Sequence, residues 1–191
     1  MNAVLTPPPM VAAAPALILA EEFMAEHAGR YAELVRGKIQ ELAMPSARHG
    51  EVCSEVNRLM ANYVKENKLG RVCCNDSLFL IRRNPDTMRG PDVSYYSFGR
   101  MPPGPAPQGV CAIVPELTVE VRSPSNTWPE IFVKIGEYLK AGVTAVLVLD
   151  PDRHSASLYR ATGQSEFAAA SLLAIPDVLP GFEVAVAKFF E

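Results

Sequence analysis

Two carboxylates in this chain sit where acids are costly. Asp92 follows Gly90-Pro91 at the start of a strand-like run, and Glu120 interrupts Leu117-Thr118-Val119-Glu120-Val121-Arg122. Side chains alternate along a strand, so Leu117, Val119 and Val121 share one face and Thr118, Glu120 and Arg122 the other. A charge within an apolar strand costs free energy unless it is paired or bound to a metal. Further along, Lys134 lies on a helix that must pack back on this strand. Two carboxylates from adjacent strands plus a lysine suit a hard cation. Mg²⁺ takes one or two carboxylates and keeps waters for a substrate phosphate. Such an ion polarises phosphate, helps generate hydroxide and stabilises a leaving oxygen. The lysine would position or activate the water and offset phosphate charge. The same residues also suit a plain structural ion pair, Glu120 with Arg122 or Lys134. His49 is open to two roles as well: a contact to phosphate or metal, or a local cap. Trp128 and the Tyr95-Tyr96 pair can stack on bases or simply pack.

These residues need elements to hold them. Ala20–Ala28 reads as a short helix stopped by Gly29, and Arg30–Leu42 as a hairpin turning at Gly37. Val52, Val56, Leu59, Met60, Tyr63 and Val64 recur at helical spacing, which predicts a helix from His49 or Gly50 to Lys68. Strands are expected over 71–75, 77–82, 91–97 and 116–122. A second helix follows over 129–141, with Pro129 at a first-turn position and Gly142 as its stop. Val143–Asp150 is a continuous apolar run, as expected of a central strand buried on both faces. Strand 116–122, helix 129–141 and strand 143–150 form a β-α-β unit, which implies a parallel pair with a right-handed connection. Ser155–Arg160 is a further strand, expected to pair across 166–169. Phe182, Val184 and Val186 alternate at the end of the chain. The reading is a mixed α/β sheet with helices against it and a β-rich C-terminus.

Composition narrows the classes. Of 191 residues, 49% are hydrophobic and 20% charged, so there is enough apolar surface to offset chain entropy and a disordered polar chain is excluded. No apolar stretch is long enough to span a membrane. The formal net charge is −3, and no block of like charges gives a basic nucleic-acid footprint. Cys53, Cys73, Cys74 and Cys111 make no C-x-x-C pair, so they read as reduced, mostly buried thiols rather than a disulfide scaffold or zinc site. The apolar Met10–Ala20 has no preceding Lys or Arg and is interrupted by Pro15, unlike a signal peptide. Residues 1–16 are therefore expected to be a disordered tail, residues 17–191 a single domain, and the protein cytoplasmic. Of 17 prolines, four lie in that tail, five in the loop 99–115 and the other eight singly; the loop suits a gate, an oligomer contact or an unstructured excursion.

The motifs as a set resemble one family. Arg30-Tyr31-Ala32-Glu33-Leu34-Val35-Arg36-Gly37-Lys38-Ile39, Pro45-Ser46-x-x-His49-Gly50 and Gly90-Pro91-Asp92-Val93-Ser94 carry the resemblance first. Leu117-Thr118-Val119-Glu120-Val121-x-Ser123-Pro124-Ser125 and Lys134-x-x-x-Tyr138-x-x-Ala141-Gly142-Val143 continue it. Asp150-Pro151 and Leu179-Pro180-Gly181-Phe182 complete it. The sequence is similar to the Uma2 family (DUF820), itself similar to PD-(D/E)xK nucleases of restriction-endonuclease-like fold. That resemblance implies a nuclease-fold sheet with an N-terminal helix-hairpin extension. It implies an endonuclease that hydrolyses DNA phosphodiester bonds with Mg²⁺ or Mn²⁺, acting as a homodimer. By position, Asp92 and Glu120 would be the metal ligands. The nuclease pattern wants lysine two residues after the second acid, where this chain has Arg122. Arginine stays protonated and cannot serve as a base. The resemblance shifts the lysine to the following helix, at Lys134, and leaves Arg122 as a phosphate clamp or a partner of Glu120. A further acid would come from Glu51, Glu55 or Glu33, and His49 would be a supporting residue. A nuclease-fold module that binds nucleic acid or a protein without cutting, and a dimeric structural protein, are the alternatives.

Overall fold

The computed structural model describes residues 16–27 and 29–191. The tail expected over 1–16 lies, but for Ala16, outside the described residues, as does the expected end of the first helix at Ala28. In chain order the helices are α1 (Ala20–His27), α2 (Ala47–Glu66) and α3 (Trp128–Ala141). The strands run β1 (Ala32–Val35), β2 (Lys38–Glu41), β3 (Gly70–Cys74), β4 (Phe79–Arg82), β5 (Thr87–Arg89) and β6 (Val93–Ser97). They continue with β7 (Leu117–Val121), β8 (Ala145–Asp150), β9 (Ser155–Arg160), β10 (Gly163–Phe167), β11 (Leu172–Ala174) and β12 (Glu183–Ala185). A 3₁₀ turn, Val186–Phe190, ends the chain.

Every residue of β8 is buried, which requires cover on both faces of its sheet. That sheet has the order β10-β9-β8-β7-β6-β3. Only β7 and β8 run parallel in it, joined by α3 as the β-α-β reading requires. Val119, Val121, Leu147 and Leu149 point to one face and pack with Val52, Val56, Met60 and Val64 of α2 and with the C-terminal Phe182 and Phe189. Val146 and Val148 point to the other face and pack with Ile131, Ile135 and Tyr138 of α3 and with Phe79.

The second sheet was not legible as such. The strand expected over 77–82 forms as β4, but it stands outside the six-stranded sheet. It joins the order β2-β1-β5-β4, and β5, unforeseen, pairs with both β4 and β1. Phe79 is the reason: it inserts between this sheet and α3, with its ring 5.7 Å from that of Tyr138. The hairpin β1–β2 turns at Arg36 and Gly37, both at positive φ (52° and 72°), the geometry that matches strand twist in a two-residue turn. α2 begins earlier than expected because Ser46 caps it, its hydroxyl accepting the His49 backbone N–H at 3.2 Å. The loop 99–115 is tied down: Arg100 donates to the carbonyls of Val114, Pro115 and Gly142. Tyr95 and Tyr96 are buried and serve packing.

Candidate active site

The register of β6 on β7 pairs Val93 with Val119. One rung further, Asp92 stands beside Glu120, and such cross-strand neighbours hold their Cβ atoms about 5 Å apart. One Asp92 carboxylate oxygen, Oδ2, accepts the Val121 backbone N–H at 2.6 Å. The other, Oδ1, meets His49 Nε2 at 3.0 Å. Glu120 accepts the Tyr138 hydroxyl on Oε1 at 2.6 Å and the Lys134 ammonium on Oε2 at 3.1 Å. Lys134 and Tyr138 are four apart on α3, so both present the same face to Glu120.

A second carboxylate holds Lys134 from the other side. Glu33 of β1 is fully buried, and its Oε1 lies 3.4 Å from Lys134 Nζ. Its Oε2 accepts from Arg89 at 2.6 Å, and Oε1 also takes the Gly90 N–H at 3.1 Å. Arg89 in turn holds Glu137 of α3 at 2.7 Å. Gly90 has a second task. A Cβ there would lie 2.3 Å from the Asp76 carbonyl oxygen, so only glycine lets the β3–β4 connection approach. That approach brings the Asp76 carboxyl to the cavity.

These groups line an open cavity of about 800 Å³. Its walls include Tyr31, Glu33, His49, Asp76, Arg89, Asp92, Glu120 and Lys134, with Arg36 and Lys38 at the hairpin edge. Burial and the Asp92 charge raise the Asp76 pKa to about 6. Burial raises Glu120 to about 7, with Asp92 and Glu33 adding to the rise and Lys134 and Tyr138 opposing it. Burial alone would lower the Lys134 pKa, but Glu120 and Glu33 outweigh it and the ammonium is retained. The hydrogen bond to Asp92 raises His49.

Asp92, Glu120, Lys134, Glu33 and His49 therefore meet in one place. Arg122 does not join them. It extends to Asp150 at 3.4 Å and Asp152 at 2.9 Å and lies over the Trp128 ring at 5.7 Å. β7 ends at Val121, and the Arg122 N–H bonds Leu149 O on β8, which carries the side chain toward Asp150. The same-face relation expected for Glu120 and Arg122 ends with the strand. Glu51 pairs with Arg48 and Glu55 with Arg58 on the outer surface of α2, and neither lines the cavity. Asp76, Tyr138, Arg89 and Tyr31 belong to the site and were not singled out. The signals for them were faint: a Gly90 that no turn explained, and a tyrosine one helical turn after Lys134.

The donor set suits a hard divalent cation. The strand register makes Asp92 and Glu120 neighbours, and burial, with the Asp92 charge adding to it, raises the pKa values of Glu120 and Asp76. The residues fit Mg²⁺ or Mn²⁺.

Comparison with known proteins supports the same architecture. A crystal structure described as a putative nuclease belonging to DUF820, from Anabaena variabilis ATCC 29413, is similar with a TM-score of 0.76 at 23% identity. The match covers 91% of this chain and 97% of that one, and it shows that the two share a fold. No curated protein matches the sequence. No described helix is long and apolar enough to cross a membrane. The sequence pattern of Uma2, described as "putative restriction endonuclease", matches residues 19–187, and the chain belongs to that family.

Proposed function

We propose that this protein is a Mg²⁺- or Mn²⁺-dependent endonuclease that hydrolyses DNA phosphodiester bonds at the Asp92–Glu120–Lys134 cluster. One observation carries the reading. Asp92, one residue before β6, is the cross-strand neighbour of Glu120 on β7, with an ammonium held between Glu120 and Glu33, in a cavity open to solvent. Asp92 and Glu120 would hold the cation. When bound, the ion polarises the phosphodiester and lowers the pKa of a water molecule.

The chain's own groups do the rest. Lys134 stays protonated, so it acts as a donor that orients water and offsets phosphate charge, not as a base. Tyr138 fixes the Glu120 carboxyl and keeps its second oxygen turned to Lys134. The Val121 N–H fixes Asp92. Arg36 and Lys38 at the cavity edge are suited to flanking phosphates. Arg122 takes no part in this chemistry. Cleaving both strands of a duplex would take two such sites, so a homodimer belongs to the proposal.

The test compares wild type with Asp92→Ala for nicking of supercoiled plasmid in Mg²⁺, in Mn²⁺ and in EDTA. Metal-dependent nicking by wild type alone is expected. Equal nicking by both proteins, or none by either, would sink the enzyme reading and leave a non-cutting nuclease-fold module.

A further inference from the structure

A thiol stands against this acid cluster, and hard-cation chemistry has no use for it. Cys53 Sγ lies 3.3 Å from His49 Nε2, and that nitrogen lies 3.0 Å from Asp92 Oδ1. All three donor atoms fall within 4.8 Å of one another. His49 and Cys53 are four apart on α2, so consecutive turns present them on one face. Asp92 reaches them from the start of β6, its other oxygen already pinned by the Val121 N–H. The second ring nitrogen of His49 is buried without a partner among the described residues, so nothing else claims the imidazole.

We infer that His49, Cys53 and Asp92 form a binding site for a borderline-soft divalent cation of the Zn²⁺ class, with water as its fourth ligand. The donor types are those such ions take, nitrogen, sulfur and oxygen together. Tetrahedral bonds of about 2.0 to 2.3 Å place ligand atoms roughly 3.4 to 3.6 Å apart. The present gaps of 3.0 and 3.3 Å need to open only slightly. His49 and Asp92 line the open cavity, which gives the ion a path. Binding balances by release of protons: the Cys53 thiol gives up one, and a protonated His49 gives up another, both to solvent. Mg²⁺ does not compete for this set, because a thiolate is a poor ligand for it.

The site has a consequence that rests on the proposed nuclease reading. Asp92 Oδ1 cannot serve both ions, so a Zn²⁺-class ion here withdraws a ligand from the Mg²⁺ site and antagonises cleavage. The cysteines in sequence showed no metal motif, since the donors are joined through space rather than by C-x-x-C spacing.

The experiment uses Co²⁺ alone, added to the full chain with a non-thiol reductant. Wild type is expected to bind one equivalent and to show the near-ultraviolet charge-transfer band of cobalt-bound thiolate with visible bands of tetrahedral cobalt. Cys53→Ser is expected to lose the charge-transfer band. In competition with Zn²⁺, Cys53→Ser and His49→Ala should each weaken binding by at least about tenfold, the loss that even outer-partner changes produce. Thermal melts of both variants check that they fold, and one folded variant suffices. No charge-transfer band in wild type, or an equal band in Cys53→Ser, overturns the inference. An inactive protein that shows the Cys53-dependent band supports the site while the nuclease reading fails. An active nuclease without the band overturns the site alone.

Discussion

Replacing Glu120 by Gln keeps the shape of the side chain and removes its charge. Glu120 is 8% exposed, and its carboxyl titrates at about 7 in the fold against 4.5 in a free chain. An acid whose folded pKa is raised binds its proton more tightly when folded, so ionisation weakens folding. The penalty is absent below pH 4.5, grows from there to about 7, and is level above. At about 1.4 kcal/mol per pH unit, it reaches about 3 kcal/mol by pH 8, with about 2 at pH 6 and about 1 at pH 5. The attraction of Lys134 is already within that balance. In Glu120→Gln the amide can keep its oxygen on Tyr138 but then turns N–H groups toward Lys134, which offsets part of the gain. The variant should be more stable than wild type by about 1 to 3 kcal/mol at pH 8, or roughly 3 to 10 °C for a chain of this size. The gain should shrink toward pH 5.

Urea and thermal unfolding of both proteins at pH 5, 6 and 8, in EDTA, measure this directly. On the proposed reading Mg²⁺ would bind the folded site alone, so adding it should stabilise wild type and narrow the gap, with little effect on the variant. A variant less stable than wild type at pH 8, or a gap unchanged with pH, would refute the reasoning. It would mean that Lys134 fully compensates the buried charge. Loss of nicking together with a gain in stability is the expected mark of a strained functional site.

Gly90→Ala should cost about 1 to 3 kcal/mol in urea unfolding, because the added Cβ meets the Asp76 carbonyl at 2.3 Å; a loss under about 0.5 kcal/mol would show that the β3–β4 connection gives way. Arg89→Met leaves Glu33 buried with Lys134 as its only cation and should destabilise by about 3 to 5 kcal/mol. Unfolding midpoints near wild type would contradict the proposed buried pairing. Arg122→Ala should cost about 1 kcal/mol by loss of its contacts to Asp150 and Asp152 while leaving metal-dependent nicking unchanged. A tenfold fall in nicking would restore Arg122 as a phosphate clamp.

What could be read from the sequence was what local rules govern. Helical spacing in Val52, Val56, Met60 and Val64 and the apolar run over β8 fix their own elements, and the β-α-β rule fixes the parallel pair. Alternation alone placed Glu120 opposite the Val119 and Val121 face. The second sheet escaped because β5 is three residues long and its partners lie far apart in the chain. Strand pairing across such distances leaves no periodic trace. Asp76 escaped for the same reason: its position is set by the absence of a side chain at Gly90, not by any pattern around itself.

The exchange of arginine for lysine beside Glu120 follows from the same geometry. A cation two residues after Glu120 would have to stay on the cavity face of β7, yet the strand ends at Val121 and Asp150 on β8 lies within reach of position 122. An arginine there is drawn to Asp150, Asp152 and the Trp128 ring. α3 crosses this same cavity face of the strand, and its one-turn repeat delivers Lys134 and Tyr138 together to the two oxygens of Glu120. Glu33, from the second sheet, then fixes the ammonium on its far side. The cation's place is thus defined by the carboxylates around it rather than by the backbone that supplies it. Lys134→Arg is therefore expected to lose nicking although it keeps the charge. A planar guanidinium does not fit between Glu120 and Glu33 where an ammonium sits 3.1 and 3.4 Å from their oxygens. Full activity in that variant would show that charge alone is required of position 134.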